Sequence, residues 1–247
     1  MRNSKIEAFK TDDDIKVVAI STDQMREVDR IAMEETGPNL FQMMENAGRN
    51  LALQAIEVLG NGWKEASIVL LAGLGGNAGG GICAARHLAN READVQLILS
   101  APERLGEIAA FQRKIFHSTS GREVETPSLS GLRPDLVIDA VIGYSLIGAP
   151  RGTALELIRW GNDTGAPILS LDVPSGVDST TSESEGEWMH AKWTMTLALP
   201  KTGLLPEKTG ALFLADIGIP QAVYSKMGLN YTFPFDARYR IPLNAMY

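Results

Sequence analysis

Five short apolar runs recur between residues 67 and 199 of the chain: "SIVLLAG", "DVQLILSA", "DLVIDAVIG", "PILSLDVPSG" and "TMTLAL". None alternates cleanly between apolar and polar residues, so each reads as a strand buried on both faces. Helical patterns, "GICAARHLANR", "GEIAAFQRKIF" and "ALELIRWGND", separate most of them. Parallel strands need crossovers of this kind, and right-handed crossovers place helices on both sides of the sheet. The expected fold is therefore α/β, a three-layer αβα, Rossmann-like, doubly wound and mostly parallel sheet. A chain of 247 residues, 45% of them hydrophobic, can bury that core as one domain. We place it at residues 19–225, between an N-terminal tail (1–18), polar and loose over residues 1–15, and a C-terminal tail (226–247). The second tail holds three of the five tyrosines and two prolines, and is expected to wrap its own subunit or a neighbour.

Two helices precede the first run. Ser21 with Gln24 fits a capping box, and Met25, Val28, Ile31 and Ala32 follow at helical spacing until Gly37-Pro38. A longer helix over "NLFQMMENAGRNLALQAIEVLG" turns Leu40, Met43, Met44, Ala47, Leu51 and Ile56 inward and closes at Gly60. A formal net charge of −7 and the lack of a basic helix face argue against nucleic acid or an anionic membrane as partner. No apolar run reaches the ~20 residues of a membrane span, and the first residues have no signal-peptide core, so a cytoplasmic protein with a small-molecule partner is expected. The single cysteine, Cys83, excludes an internal disulfide framework and a cysteine-based zinc site. It and His87 read as structural residues of the helix after the first strand. The acidic stretch 178–190 reads as a surface loop, in which His190 has no evident partner.

Ligands of such sheets sit beyond the carboxyl ends of the strands. After the first strand comes "GLGGNAGGG", in which Gly73, Gly75, Gly76, Gly79, Gly80 and Gly81 are expected to permit positive φ and to bare the backbone N–H groups toward a phosphate. The second strand ends "LILSAP" without the acidic residue that holds ribose in ordinary NAD dehydrogenases, so that reading is disfavoured. Asp139 leaves the third strand ahead of Gly143 and Gly148, and Asp172 leaves the fourth beside Pro174-Ser175-Gly176. Two strand-end carboxylates facing one glycine loop point to a functional site. Asn77, Asp139 and Ser175 offer oxygen ligands, which suit a hard cation rather than zinc. Lys201, after the fifth strand, is either a charge partner for a phosphate or carboxylate, or a surface lysine in a loop.

The segments "QMREVDRIAMEETG", "LFQMMENAGRNLA", "LAGLGGNAGGGICAARHLA", "DLVIDAVIGYSLIGAPRG", "ILSLDVPSGVD", "TMTLALPKTGLL" and "ADIGIP" resemble, in order, the motifs of the YjeF N-terminal domain family, the NAD(P)H-hydrate epimerases. The resemblance implies a Rossmann-like domain, often a homodimer, that interconverts the R and S forms of hydrated NADH or NADPH and binds a potassium ion. It implies that Gly76, Asn77, Ala78, Gly79 and Gly80 contact the hydrated dinucleotide, as do Gly143, Tyr144, Ser145, Leu146, Ile147, Gly148 and Ala149, and Asp172. By the same resemblance Asn77, Asp139 and Ser175 are potassium ligands, and Lys201 matches a recurring lysine. Nothing resembles the dehydratase domain often fused to bacterial members, so a separate NAD(P)H-hydrate dehydratase is the expected pathway partner.

Where the family writes GxGNNGGDG this chain writes "GLGGNAGGG", replacing an Asn, a Gly and an Asp by Gly76, Ala78 and Gly80. An alanine forced to positive φ would cost ~1 kcal/mol or more. The departures therefore leave a second reading beside the epimerase: a catalytically impaired relative acting as a nucleotide-binding or protein-scaffold module. For the epimerase, the hydrated ring is a hemiaminal whose nitrogen expels water once its hydroxyl is protonated. Asp172 is the candidate to give and retake that proton, with Asp139 holding the ion.

Overall fold

In a computed structural model of the protein, which describes residues 6–246, the apolar runs pair within one ten-stranded sheet. The chain opens with β1 (Ala8–Lys10), β2 (Lys16–Val18), α1 (Thr22–Ile31) and α2 (Leu40–Leu59). A first winding follows: β3 (Ser67–Ala72), α3 (Gly76–Ala89), β4 (Asp94–Leu99), α4 (Glu107–Phe116) and β5 (Arg122–Glu123). The second contains β6 (Leu136–Ala140), α5 (Gly152–Asp163), β7 (Ile168–Leu171), β8 (Trp193–Leu197), α6 (Pro206–Thr209), β9 (Ala211–Ala215), α7 (Gln221–Lys226) and β10 (Arg240–Met246). Strand order is β2-β1-β10-β9-β8-β7-β6-β3-β4-β5. From β9 to β5 every pair is parallel; β10, β1 and β2 extend the sheet antiparallel. The expected αβα class and all five expected strands are present. Among the described residues no helix is long and apolar enough to cross a membrane.

The N-terminal tail differs from the sequence reading, and the C-terminal one takes the first of its two expected courses, on its own subunit, as a strand of the sheet. Residues 8–10 and 16–18 form a hairpin, not a loose segment, and β10 lies between β1 and β9 of the same chain. Phe9 and Val17 are buried by that pairing, as are Ile241 and Leu243 on either side of Pro242. Strands of three residues, and one interrupted by proline, are too short or too broken for a periodicity window to register. The helix starts match more closely. Ser21 Oγ accepts the Gln24 N–H at 3.3 Å while Gln24 Oε1 accepts that of Ser21 at 2.8 Å. Asn39 and Gln42 make the same reciprocal pair at α2.

Alternating residues of β3 feed two cores. Ile68, Leu70 and Ala72 pack with α2 and α3, whereas Val69 and Leu71 pack with Leu157 and Ile158 of α5. The chain winds outward from β3 through β4 and, on the other side, outward from β6 through β7. A crevice must open where these directions diverge.

The glycines beside that crevice correct one expectation. None of Gly73, Gly75, Gly76, Gly79, Gly80 and Gly81 has positive φ. The helix begins at Gly76, so Gly79, Gly80 and Gly81 are helical, and their lack of a Cβ lets α3 sit close to its neighbours. A Cβ at Gly81 would lie 2.3 Å from that of Ala140, and one at Gly79 2.8 Å from Ile108 Cγ2. Ala78 is helical and fully buried, so the strain expected of an alanine there does not arise. Gly81→Ala should destabilise the protein by about 1–3 kcal/mol through overpacking, seen as a lower urea midpoint at unchanged slope. Gly76→Ala, which meets nothing within 4 Å, should change stability by less than about 0.5 kcal/mol. Equal midpoints for the two variants would refute the packing role.

Candidate active site

A cavity of about 660 Å³ opens where β3 and β6 diverge. Its walls include Gly73 to Asn77 from the entry to α3, Val141 to Ser145 after β6, Asp172 after β7, and Asp29, Arg26 and Arg30 from α1. Gly75 caps α3 without a side-chain bond. The N–H groups of a first helical turn lack intrahelical partners, and the helix dipole makes them a site for an anion. The cradle anticipated from the sequence is thus the five residues Gly73 to Asn77 entering the helix rather than a nine-residue glycine loop.

Asp172 forms the cavity floor. Its φ of +68° is a left-handed conformation that Asp and Asn adopt more readily than other side chains. Its Oδ1 accepts Lys201 Nζ at 2.5 Å and its Oδ2 accepts the Tyr144 N–H at 3.1 Å. Lys201 has no solvent exposure, and also donates to Thr196 Oγ1 at 3.2 Å and to the Leu197 carbonyl at 3.1 Å. Of the two readings of Lys201, the surface lysine is overturned: it is a buried charge partner for a carboxylate.

Asp139 is fully buried and does not line the cavity. Its Oδ2 accepts Ser170 Oγ at 2.8 Å and the Ser175 N–H at 2.9 Å; its Oδ1 accepts Ser175 Oγ at 2.5 Å and the Val141 N–H at 3.2 Å. Burial pushes its pKa up, and these four bonds pull it back. The expectation of two carboxylates facing one cradle is therefore half met. Nearby, the amide oxygen and nitrogen of Asn77 are buried without a hydrogen-bond partner in the structure, and a Cβ at Gly143 would stand 3.2 Å from Asn77 Cγ. An orphaned, buried amide oxygen, like the oxygens of Asp139 and Ser175, suits a hard cation rather than zinc.

Other anticipated contacts scatter. Gly76, Asn77, Gly143, Tyr144 and Ser145 line the cavity. Ala78, Gly79 and Gly80 are buried along α3 instead, and Leu146, Ile147, Gly148 and Ala149 lie outside the lining. Ile147 is 89% exposed. Sequence reasoning missed Asp29, whose Oδ2 accepts the Tyr144 hydroxyl at 2.6 Å. A helical aspartate followed by an arginine looks like any solvated face; only the buried phenol above it marks it out.

One further cluster lies apart, between α2 and α3. Glu45, Cys83 and His87 present their ligand atoms to a common point. Arg86 fills that point, its Nη2 lying 2.7 and 2.6 Å from the Glu45 oxygens, 3.3 Å from Cys83 Sγ and 3.2 Å from His87 Nε2. Burial opposes ionisation of Glu45, but the Arg86 and His87 bonds hold it down to about 2. Burial also pushes the Cys83 thiol up to about 12, leaving it unreactive. These are structural residues, as expected. His190 packs edge-on against Trp188 with ring centroids 5.1 Å apart.

The chain is 49% identical over 238 residues to a protein of Dehalogenimonas lykanthroporepellens named NAD(P)H-hydrate epimerase, covering 96% of this chain and 97% of that one. It is 34% identical over 222 residues to the bifunctional NAD(P)H-hydrate repair enzyme Nnr of Salinibacter ruber, covering 82% of this chain but 41% of the longer protein. A human enhancer of mRNA-decapping protein 3 is 32% identical over 96% of this chain and 47% of its own. The crystal structure of yeast ynu0 (YNL200c) superposes with a TM-score of 0.78 at 20% identity, covering 91% of this chain and 99% of that one, which supports the fold. The profile described as "YjeF-related protein N-terminus" matches residues 40–203, and the chain belongs to that family.

Proposed function

We propose that this protein is an NAD(P)H-hydrate epimerase, an isomerase interconverting the R and S forms of hydrated NADH and NADPH in metabolite repair. The observation that carries this reading is the Asp172–Lys201 pair at the floor of a cavity whose rim is an uncapped helix terminus. A dinucleotide offers matching chemistry, a diphosphate for the N–H groups of Gly76 and Asn77 and a ring to lie over Asp172. Arg26 and Arg30 of α1 also line the cavity, Arg26 paired with Asp23 and Arg30 with Glu27, Glu34 and Glu35.

At the reacting carbon, the ring nitrogen pushes out the hydroxyl as water once an acid supplies a proton, and water returning on the other face inverts the centre. Asp172 exchanges that proton, and Lys201 fixes the carboxylate and holds it in position. The cavity walls limit competing water. A potassium ion would be held by Asn77, Asp139 and Ser175, where it would supply a fixed positive charge beside the cavity. Within the same proposal, the protein forms a homodimer and a separate NAD(P)H-hydrate dehydratase is its pathway partner.

The non-catalytic reading loses its ground. It rested on Gly76, Ala78 and Gly80, yet Ala78 and Gly80 are helical positions under α3 and Gly76 leaves the cavity rim open.

Purified R hydrate incubated with the protein should convert far above the spontaneous rate, followed by chromatography. Asp172→Asn keeps the left-handed backbone conformation and should slow conversion by about 10²–10⁴-fold with ligand affinity little changed; unchanged turnover would refute the assignment. Replacing tetramethylammonium chloride by potassium chloride at constant ionic strength should raise the melting temperature, by mass action on the folded state. Asn77→Ala should lose most of that rise. Identical melting of the wild type in both salts would remove the ion from the proposal.

A further inference from the structure

Tyr144 joins two carboxylates that reach the cavity from different elements. Its N–H donates to Asp172 Oδ2 at 3.1 Å, and its hydroxyl donates to Asp29 Oδ2 at 2.6 Å. The two acidic groups are thus held apart by the length of one tyrosine side chain, and both line the same cavity. The helix bearing Asp29 is registered against this frame. Thr22 N–H donates to Thr180 Oγ1 at 2.9 Å, the Thr22 and Ser179 hydroxyls lie 2.6 Å apart, and Ser179 Oγ donates to the Tyr144 carbonyl at 3.1 Å. Just before α1, Ile20 exchanges backbone bonds with Pro200 and Thr202 on either side of Lys201, each 3.0 Å. Such anchoring is what a group needs if it must meet a reacting atom within a fraction of an ångström.

We propose that Asp29, steadied by the Tyr144 hydroxyl, is the second proton-transfer group of the site and serves the face of the reacting carbon that Asp172 does not reach. This rests on the epimerase reading. Inversion of a carbon bearing a hydroxyl needs an acid on one face and a base on the other, and two separated carboxyl groups are the usual provision for such inversions in sugar chemistry. In one direction Asp29 gives its proton to the departing hydroxyl, the carbon–oxygen bond breaks, and the nitrogen lone pair forms the iminium. Water then adds to the opposite face as Asp172 takes its proton. One water leaves, one enters, and one proton passes from Asp29 to Asp172. The reverse turnover, or exchange with solvent, restores the start.

The surroundings of Asp29 suit an acid. Burial raises its pKa; the Tyr144 bond and Lys201 pull it down, and Asp172 pushes it up. Arg26 on the same helix, Tyr224 from α7, and Arg30 and Glu34 in the same cavity wall are further charged or titratable groups around this pair. Burial also drives the Tyr144 phenol upward, so it stays a neutral donor. The step that needs Asp29 as acid is fastest below its pKa and slows as pH rises through it.

Running the reaction in water enriched in oxygen-18 separates this role from a structural one. Through the iminium, the wild type exchanges the ring hydroxyl with solvent as it inverts. In Asp29→Asn, Asp172 still expels and readmits water on its own face. One epimer should keep exchanging its oxygen while inversion falls by about 100-fold or more, with KM within threefold and the high-pH limb of the profile lost. Tyr144→Phe, a milder change, should lower the ratio of inversion to exchange in the same direction. Equal loss of inversion and exchange in both variants, or wild-type inversion in Asp29→Asn, would overturn the assignment. Failure of the wild type itself to convert the hydrate would instead remove the epimerase reading on which it rests.

Discussion

A lysine with no solvent exposure, bonded to an aspartate in a left-handed conformation, is the interaction around which this molecule is arranged. Each charge alone would be costly to bury, and removing either from such a pair typically costs about 3–5 kcal/mol because the other is left uncompensated. The pair is tolerated because both members are fully engaged: Lys201 donates to Asp172, Thr196 and the Leu197 carbonyl, and Asp172 also accepts from Tyr144. Those bonds span the ends of β7 and β8 and the loop after β6. The ion pair therefore fixes the relative heights of three strand ends, which is the shape of the cavity floor.

The N-terminal hairpin takes part in the same arrangement. Ile20 forms a parallel bridge with Lys201, so the segment leading into α1 is stitched to the strand end that bears the buried charge. The hairpin of β1 and β2 leads into this segment, and Thr22 adds side-chain and backbone bonds to Ser179 and Thr180 that hold the start of α1. This division resembles other α/β enzymes, in which a rigid sheet positions one group and peripheral elements deliver its counterpart.

The legible parts of the sequence were those with local causes. The five buried strands and the capping box at Ser21 depend on a few adjacent residues, and pattern alone located them. Asp172, leaving a buried strand, and Asn77, in the glycine segment, both reach the cavity that the sequence pattern pointed to. Asp29 was not readable, because its significance comes from Tyr144, 115 residues later in the chain. β1, β2 and β10 were missed for a related reason: their stability comes from pairing across the whole chain rather than from their own three to seven residues. Lys201 stood between two readings for want of a single fact, its burial.

The glycine segment reaches the cavity, but its glycines serve a purpose other than the positive φ expected of them. Four glycines within the first six residues of α3 are unfavourable to the helix, each by about 0.8–1 kcal/mol relative to alanine. Free conformations cannot account for them, since none has positive φ. Their compensation is proximity. Gly80 faces Leu171 of β7, Gly81 faces Ala140 of β6 and Gly79 faces Ile108 of α4, so the helix lies lower on the sheet than any side chain would allow. Lowering the axis brings its N-terminal N–H groups and the Asn77 amide level with the strand ends that carry Asp139 and Asp172. A local propensity is thus sacrificed to close packing at the helix start, the kind of conflict between local and global preference that concentrates at functional sites.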